Sequence, residues 1–485
     1  MVSGSHAAGQ PGGSQRAMNS PAADARPRIT IVGGGLAGLA AAVALAESDC
    51  QVELFEARRS LGGRAGSFRD PATGEQVDHC QHVSMGCCTN LADLCRRIGV
   101  GDAFRRIDTL HFVGPDGSWY DLKASRLPAP LHLAPAFWRM KYLSAAERYR
   151  IGRAMWKLMR ETPHDLDTAP SVGRWLRMQR QSTRAIEQFW GVILTSALGE
   201  DLDRASLPAA RKVIVDGFLS ARDGYVVEVP EVPLSALYGA TLERWLTEHG
   251  VGVHLGTPVR CVSIADGPRV DTADGTRRPD YVVLAVPWFK LAEMVDASLA
   301  EAWPWLAELS RVEASPITGV HLWFDRPIAS VDHAVIVGRL SQWMFRRSSS
   351  GASAEGHYYQ VVISASRGLA GREKDDVVAE VCRELGEIFP EARDAELLRS
   401  RIVTDRAAVF SARPGFEQLR PAQGTAIPGV LLAGDWTDTG WPATMESAVR
   451  SGYLTAEAIL AAVGRTDSWV RPDLPRGWLA SRLIR

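Results

Sequence analysis

The chain has 485 residues, 46% of them hydrophobic, and a formal net charge of −1, with 55 Lys and Arg set against 56 Asp and Glu. This length predicts two or three folding units with ample apolar core, and the near-neutral balance gives no global electrostatic case for nucleic acid. Seven cysteines, an odd and sparse count, fit a reducing compartment rather than a disulfide framework.

Residues 1–27 are small, polar and punctuated by Pro and Gly, and they read as a disordered leader. No apolar stretch follows a basic start there, and no apolar run elsewhere approaches the ~20 residues that span a bilayer. The expectation is a cytoplasmic protein, peripherally associated with the inner face of the cell membrane.

Residues 28–98 open on Ile29, Thr30, Ile31 and Val32, a β-branched run suited to a buried parallel strand. Gly33, Gly35 and Gly38 follow at GxGxxG spacing, then a helix pattern over 36–47 and a second strand pattern ending at Glu56. In such a βαβ unit Gly33 permits the tight turn, Gly35 admits a pyrophosphate against the backbone, and Gly38 lets helix and sheet pack closely. The helix N-terminus faces the phosphates and Glu56 can accept from a ribose hydroxyl. The unit by itself leaves FAD and NAD open. A second glycine turn, Gly62, Gly63 and Arg64, adds a cation able to neutralise the same pyrophosphate.

Ser67–Phe68 and 76–78 read as short strands about a turn at 70–74. Cys80, Cys87, Cys88 and Cys95 lie close to His79 and His82, which invites a metal-site reading. There is no CxxC pair, and Cys95 shares a helical face with Leu91, Leu94 and Ile98, so free buried cysteines and no metal are expected.

Residues 99–229 read as a mainly helical insertion that faces substrate or membrane. Many of the 15 tryptophans fall between Trp119 and Trp190, which suggests broad apolar surfaces. A helix starting at Ser144 carries Arg148, Arg150, Arg153, Lys157 and Arg160, interleaved with Tyr149, Met155 and Trp156. That pattern suits an anionic membrane surface, and it equally suits a solvated basic face on a helix packed in its own domain. Helices over 171–179 and 185–198 could roof an apolar ligand site.

Residues 230–295 return to α/β, with a helix at 237–250, strands at 251–255 and 257–264, and an apolar run at 281–287. That run is suited to burial on both faces and is expected to rejoin the dinucleotide sheet. Residues 296–425 add strands at 317–324 and 358–364 and a helix at 374–388, a second sheet. In 426–465 an apolar strand ends at Gly434 and Asp435, and a helix begins near Thr444; 466–485 is a tail. Gly434 leaves room for a cofactor, Asp435 can accept from a polyol hydroxyl, and the helix opening at Met445 offers free N–H groups and a positive dipole end. A flavin gathers negative charge at N1 and C2=O on reduction, so an isoalloxazine is expected there.

The glycines, Glu56, the Gly62–Arg64 turn, the strand at 281–287 and the closing Gly434–Asp435 motif together resemble the amine oxidase/phytoene desaturase superfamily of FAD proteins. Gln81, His82 and the stretch GDWTDTGWPATMESAVRSG resemble its squalene-associated branch, the hydroxysqualene dehydroxylases. The resemblance implies an α/β fold, a Rossmann-type FAD-binding domain assembled from 28–98, 230–295 and 426–465, with an inserted α+β substrate domain. It implies that Gly33, Gly35 and Gly38 hold the pyrophosphate, Glu56 the ribose and Arg64 the phosphate and flavin region. Val259 would pair with the adenine through its backbone, Gly434 and Asp435 would hold the ribityl-phosphate part, and Met445 would open the helix under the flavin. The implied activity is reduction of hydroxysqualene to squalene by reduced FAD, in hopanoid synthesis, on a hydrophobic isoprenoid and in association with other squalene-synthesis enzymes.

His82 is the candidate proton donor, because it follows a strand that should reach the flavin and titrates near neutrality. A histidine whose backbone merely lines the ring fits the same position. The family reads Asn-Gly where this chain has His79 and Cys80, a change beside the ring that bears on the substrate. A polyene desaturase with the electron flow reversed, an amine oxidase, and a lipid-binding module that holds FAD structurally are the alternatives. No second dinucleotide fingerprint is present, which leaves the electron donor open between a separate protein, free reduced flavin and NAD(P)H.

Overall fold

The computed structural model describes residues 26–485 except 72–73, 163, 167, 265 and 348–355, so all but the end of the expected leader lies outside the described residues. Strand β1 (Arg28–Val32), helix α1 (Leu36–Glu47) and strand β2 (Gln51–Glu56) form the expected βαβ unit. Three strands return to it from distant sequence: β3 (Gly252–Leu255), β4 (Tyr281–Leu284) and β5 (Val430–Leu432). All pair in parallel, in the order β3-β2-β1-β4-β5. The order switches sides at β1, which opens a crevice at the carboxyl ends of the central strands.

Both faces of this sheet are covered, so Ile29, Ile31, Val282, Val283 and Leu284 are buried without polar alternation. Helix α1 is apolar all round because it is enclosed between the sheet and a second helix, α2 (Met445–Ala462). The two helices cross at Gly452. A Cβ there would lie 2.2 Å from the Ala37 carbonyl oxygen and 2.8 Å from the Ala41 nitrogen.

The second sheet has seven strands, in the order Leu397–Phe410, Ala314–Phe324, His357–Ile363, Trp343–Arg346, His333–Ile336, Thr109–Val113, Trp119–Lys123. On one face Val320, Leu322 and Val361 pack against Val377, Val381 and Leu385 of the helix Lys374–Ile388. Residues of opposite parity, among them Trp343, Phe345 and Val362, line a cavity on the other face.

Two strands of this sheet correct the expectation that 99–229 is mainly helical. Thr109–Val113 and Trp119–Lys123 form a hairpin closed at Gly114, whose amide donates to the Ser118 carbonyl at 2.8 Å. The first of them pairs in parallel with His333–Ile336, which satisfies backbone groups that would otherwise form an open edge. Phe104–Ile107 also pairs antiparallel with Val227–Pro230 across the base of the insertion, and the segment between the hairpin and that strand is largely helical. Ala145–Arg160 starts in a capping box in which Ser144 and Glu147 exchange hydrogen bonds with each other's backbone. Ile186–Trp190 and Lys212–Leu219 are π-helical, as is Ser235–Thr241 further on. Among the described residues no helix is long and apolar enough to cross a membrane.

Gly452→Ala places a methyl group against backbone that cannot give way. It is expected to lower stability by about 2 kcal/mol or more and to reduce retained cofactor, read from the denaturant midpoint and the flavin absorbance of the purified protein.

Candidate functional site

A cavity of about 780 Å³ starts at the carboxyl ends of β1 and β2 and extends to the inner face of the seven-stranded sheet. Gly33, Gly35, Glu56, Arg64, His82, Val259, Gly434, Asp435 and Met445 all line it, although they are spread over four hundred residues of sequence. Gly38 does not line it. A Cβ on Gly38 would lie 2.0 Å from the Gly33 carbonyl oxygen, so its contribution is the close fit of α1 onto the turn. Gly33 has φ +111°, and a Cβ there would meet the Ala285 carbonyl oxygen at 2.5 Å. Gly35 differs from both. A Cβ on it would meet nothing within 4 Å, so the backbone is open to a phosphate at that point.

The second glycine turn packs on the first, with the Gly62 amide donating to the Gly34 carbonyl at 2.9 Å. The Glu56 carboxylate accepts the Gly34 amide on Oε2 at 2.7 Å and the Arg58 amide on Oε1 at 2.8 Å. Each oxygen keeps a further lone pair, so the group is held in place with capacity left for a ribose diol. Val259 begins the strand Val259–Ser263 and faces Thr272 just before a break in register.

Arg64 joins the two ends of the chain. Its Nη2 donates to Asp435 Oδ1 at 2.6 Å and its Nη1 to the Ala408 carbonyl at 2.9 Å. Burial opposes the charge on Arg64, but Asp435 outweighs it and holds the guanidinium above its ordinary value. At Gly434 the expectation needs refinement: the space a side chain would need is filled by Trp436, whose Nε1 would lie 2.4 Å from a Cβ. The buried Trp436 donates that Nε1–H to the Val286 carbonyl at 2.9 Å, locking the loop after β5 to the segment after β4.

The same loop is held from beneath by Arg420, a residue the sequence reading missed because no local motif marks it. Buried Arg420 donates from Nη2 to the Thr437 carbonyl at 2.6 Å and the Asp435 carbonyl at 3.0 Å, and from Nη1 to Glu417 at 2.9 Å. Beyond the loop Thr444 caps α2, its Oγ1 accepting the Ser447 amide at 3.1 Å. The amides of Met445 and Glu446 have no partner among the described residues, and they form the donor end that an anionic group would meet. The Glu446 side chain is turned away into the core, where it accepts the Asn90 amide at 3.0 Å and the Leu91 amide at 2.8 Å.

His82 lies in the cavity with Nδ1 2.9 Å from the Cys80 carbonyl oxygen. A carbonyl only accepts, so Nδ1 carries the proton and Nε2 of the neutral ring is an acceptor. Burial pushes the His82 pKa below its ordinary value. A neutral ring with this tautomer has no proton to give from Nε2, which weighs against the donor role expected from sequence.

Sequence reading also missed Asp405. Ile317 faces Asp405 and Ser315 faces Val409, so two steps on one strand oppose four on the other. This bulge brings Asp405 and Ala408 into the cavity wall. Asp405 Oδ1 accepts the Ala407 amide at 2.9 Å, and Oδ2 has no partner among the described residues. Among the described residues no cluster could hold a metal, and the seven cysteines are free thiols.

A parallel sheet with its switch point over a glycine turn, a backbone opening at Gly35 and a helix end facing the far side of one continuous cavity suit a dinucleotide. The chain belongs to the flavin containing amine oxidoreductase family, whose pattern matches residues 36–460, and that match makes the protein an FAD-dependent oxidoreductase. It is 28% identical over 446 residues to a hydroxysqualene dehydroxylase of Rhodopseudomonas palustris, covering 90% of this chain and 98% of the relative. It is 25% identical over 485 residues to a 15-cis-phytoene desaturase of Synechococcus elongatus, covering 94% and 100%. Among solved structures it resembles a putrescine oxidase variant with a TM-score of 0.68 at 16% identity, covering 90% of this chain and 99% of that one. Cyclohexylamine oxidase from Brevibacterium oxydans gives 0.66 at 17%, covering 91% and 100%. At such identities the structural likeness speaks for the fold.

Two outcomes follow from the site. Arg420→Leu strands the buried Thr437 carbonyl, at a cost of about 1–3 kcal/mol, and leaves the Asp435 carbonyl only its bond from Ser447 Oγ; the variant is expected to lose most of its FAD on gel filtration and to unfold at lower denaturant. Burial also lowers the pKa of His82, and of His132 and His333 to about 4 and His321 to about 3. Between pH ~6.5 and ~4 the unfolded chain therefore binds more protons than the native one, and stability falls as pH falls, by up to about 1.4 kcal/mol per pH unit for each ring. Urea midpoints measured at pH 7.5 and pH 5 check this.

Proposed function

We propose that the protein reductively removes the hydroxyl of hydroxysqualene, or of a closely similar isoprenoid alcohol, to give the hydrocarbon. The observation that carries the reading is the composition of the far end of the cavity. Leu110, Phe112, Ile193, Phe218, Trp343 and Phe345 line it, and among the described residues the only acid that the second sheet and the helical insertion place in the cavity is Asp405. Such a wall suits a long apolar chain with one polar centre and gives a polar amine little to bind. The 28% identity to a hydroxysqualene dehydroxylase over nearly the whole chain supports the same reading.

Reduced FAD, when bound, supplies a hydride to the carbon that loses oxygen. The protein has to hold the carbinol carbon near the flavin, deliver a proton to the leaving oxygen so that it departs as water, and exclude bulk solvent from the allylic cation. Asp405 takes the proton-donor role in this scheme. His82, with Nε2 free as an acceptor, orients the hydroxyl through that group's own O–H.

A second reading keeps the fold and reverses the electron flow, so that a polyene gives hydride to oxidised FAD. The full-length similarity to a phytoene desaturase favours it. Anaerobic incubation with chemically reduced FAD and hydroxysqualene separates the two. Squalene is the expected product; reduction of oxidised FAD by phytoene in a parallel anaerobic incubation, with no squalene formed in the first, selects the desaturase. Asp405→Asn is expected to lower kcat by about a hundredfold or more with FAD retained, whereas His82→Gln mainly raises KM. Full turnover by Asp405→Asn would remove it from the mechanism.

A further inference from the structure

Large side chains are left exposed on one side of the molecule, and they come from two ends of the sequence. Tyr149 is 66% exposed and Trp156 46% on the outer face of the helix Ala145–Arg160, and Trp138 is 48% exposed on the short helix before it. Leu127 and Leu131 are also exposed. The chain terminus is drawn to the same place. The Gly477 amide donates to the Ser220 carbonyl at 2.9 Å, and a Cβ on Gly477 would touch Ala129 at 3.4 Å. The Arg485 amide donates to the Met159 carbonyl at 2.9 Å. Trp478, 62% exposed, thus follows directly on a residue packed against Ala129, which lies between Leu127 and Leu131 in sequence, and Arg482 sits 5.4 Å from its ring centre.

The charges on this face are of one sign. Arg139, Lys141, Arg150, Arg153 and Lys157 are exposed, and none has a carboxylate partner among the described residues. The acid on the same helix, Glu147, is buried and paired with Arg184. A molecule of net charge −1 has therefore gathered unneutralised cations on the surface where its aromatic side chains protrude.

This face also lies one layer above the substrate end of the cavity. Phe137, next to Trp138, packs its ring 5.2 Å from Phe189 and joins the cluster that contains Phe218 and Val192, both of which line the cavity. We propose that the face built from 126–160 and 477–485 docks on an anionic lipid bilayer, with the tryptophans and leucines entering the interface and the cations meeting lipid phosphates. The isoprenoid then passes from the bilayer into the cavity without crossing water. Docking stands on the surface alone, and the transfer of substrate rests on the isoprenoid reading above.

The test uses the full FAD-loaded chain and vesicles of phosphatidylcholine with or without phosphatidylglycerol. Sedimentation with the mixed vesicles, weakened by high salt and by omission of the anionic lipid, is expected. Arg150→Glu/Arg153→Glu/Lys157→Glu is expected to lose binding by at least about tenfold, and Trp478→Ser to weaken it, with flavin content and unfolding midpoint unchanged. Equal binding to neutral and anionic vesicles, or undiminished binding by the triple variant, would overturn the proposal. So would a lipid-free dimer that shields Trp478 from a collisional quencher. Because sedimentation needs no turnover, a protein that docks but yields no squalene leaves the surface standing and removes the substrate reading.

Discussion

The ion pair between Arg64 and Asp435 is the constraint on which the rest of the architecture depends. The two residues are 371 apart in sequence and meet at 2.6 Å, with Asp435 almost wholly buried. A carboxylate in that position is costly without a cation, and the guanidinium is available only if the turn after Gly62 and Gly63 is correctly formed. The turn is formed only if it can pack on the first glycine turn. Closure of the cofactor site thus couples the first and last segments of the chain, and everything between them has to be folded into a shape that lets them meet.

That coupling explains the division of labour along the chain. The parallel sheet is assembled from three separated pieces, each short and apolar, and it carries the groups that would hold a dinucleotide. The antiparallel sheet and the helices fill the long intervals, and they contribute an apolar wall with one carboxylate brought in by a bulge. The cofactor half is built from backbone amides and fixed charges, whereas the substrate half is built from side chains of hydrocarbon character. One cavity serves both because the strand that carries Ala408 comes within reach of the second glycine turn, where Arg64 holds the Ala408 carbonyl.

Local pattern made much of this legible. The helix expected over 36–47 is found there, and so is the one over 374–388, because both have clear starts and an unbroken apolar face. The strand at 281–284 announced its central place by lacking polar alternation. What escaped were features defined by distant partners. The hairpin at 109–123 finds its place beside His333–Ile336, more than two hundred residues on. Arg420 is one arginine among many until the carbonyls of Thr437 and Asp435 arrive above it. Asp405 falls on a strand of ordinary composition, and only a register mismatch with the neighbouring strand turns it inward. His82 lines the cavity, but its tautomer is set by the Cys80 carbonyl, which no spacing rule encodes.

The π-helical stretches bear on how this cavity could change over time. Val192, Ile193 and Ser196 follow directly from Ile186–Trp190, and Phe218 lies within Lys212–Leu219. A π turn holds more residues than an α turn for the same hydrogen-bonded span. Loss of one residue from either stretch would restore the α ladder; because the π turn absorbs that residue within one hydrogen-bonded span, the helix beyond keeps its place while the side chains of the stretch itself are re-set. The wall around Phe218 can therefore be re-cut by a single-codon deletion while the Gly33 turn and the α2 end stay where they are.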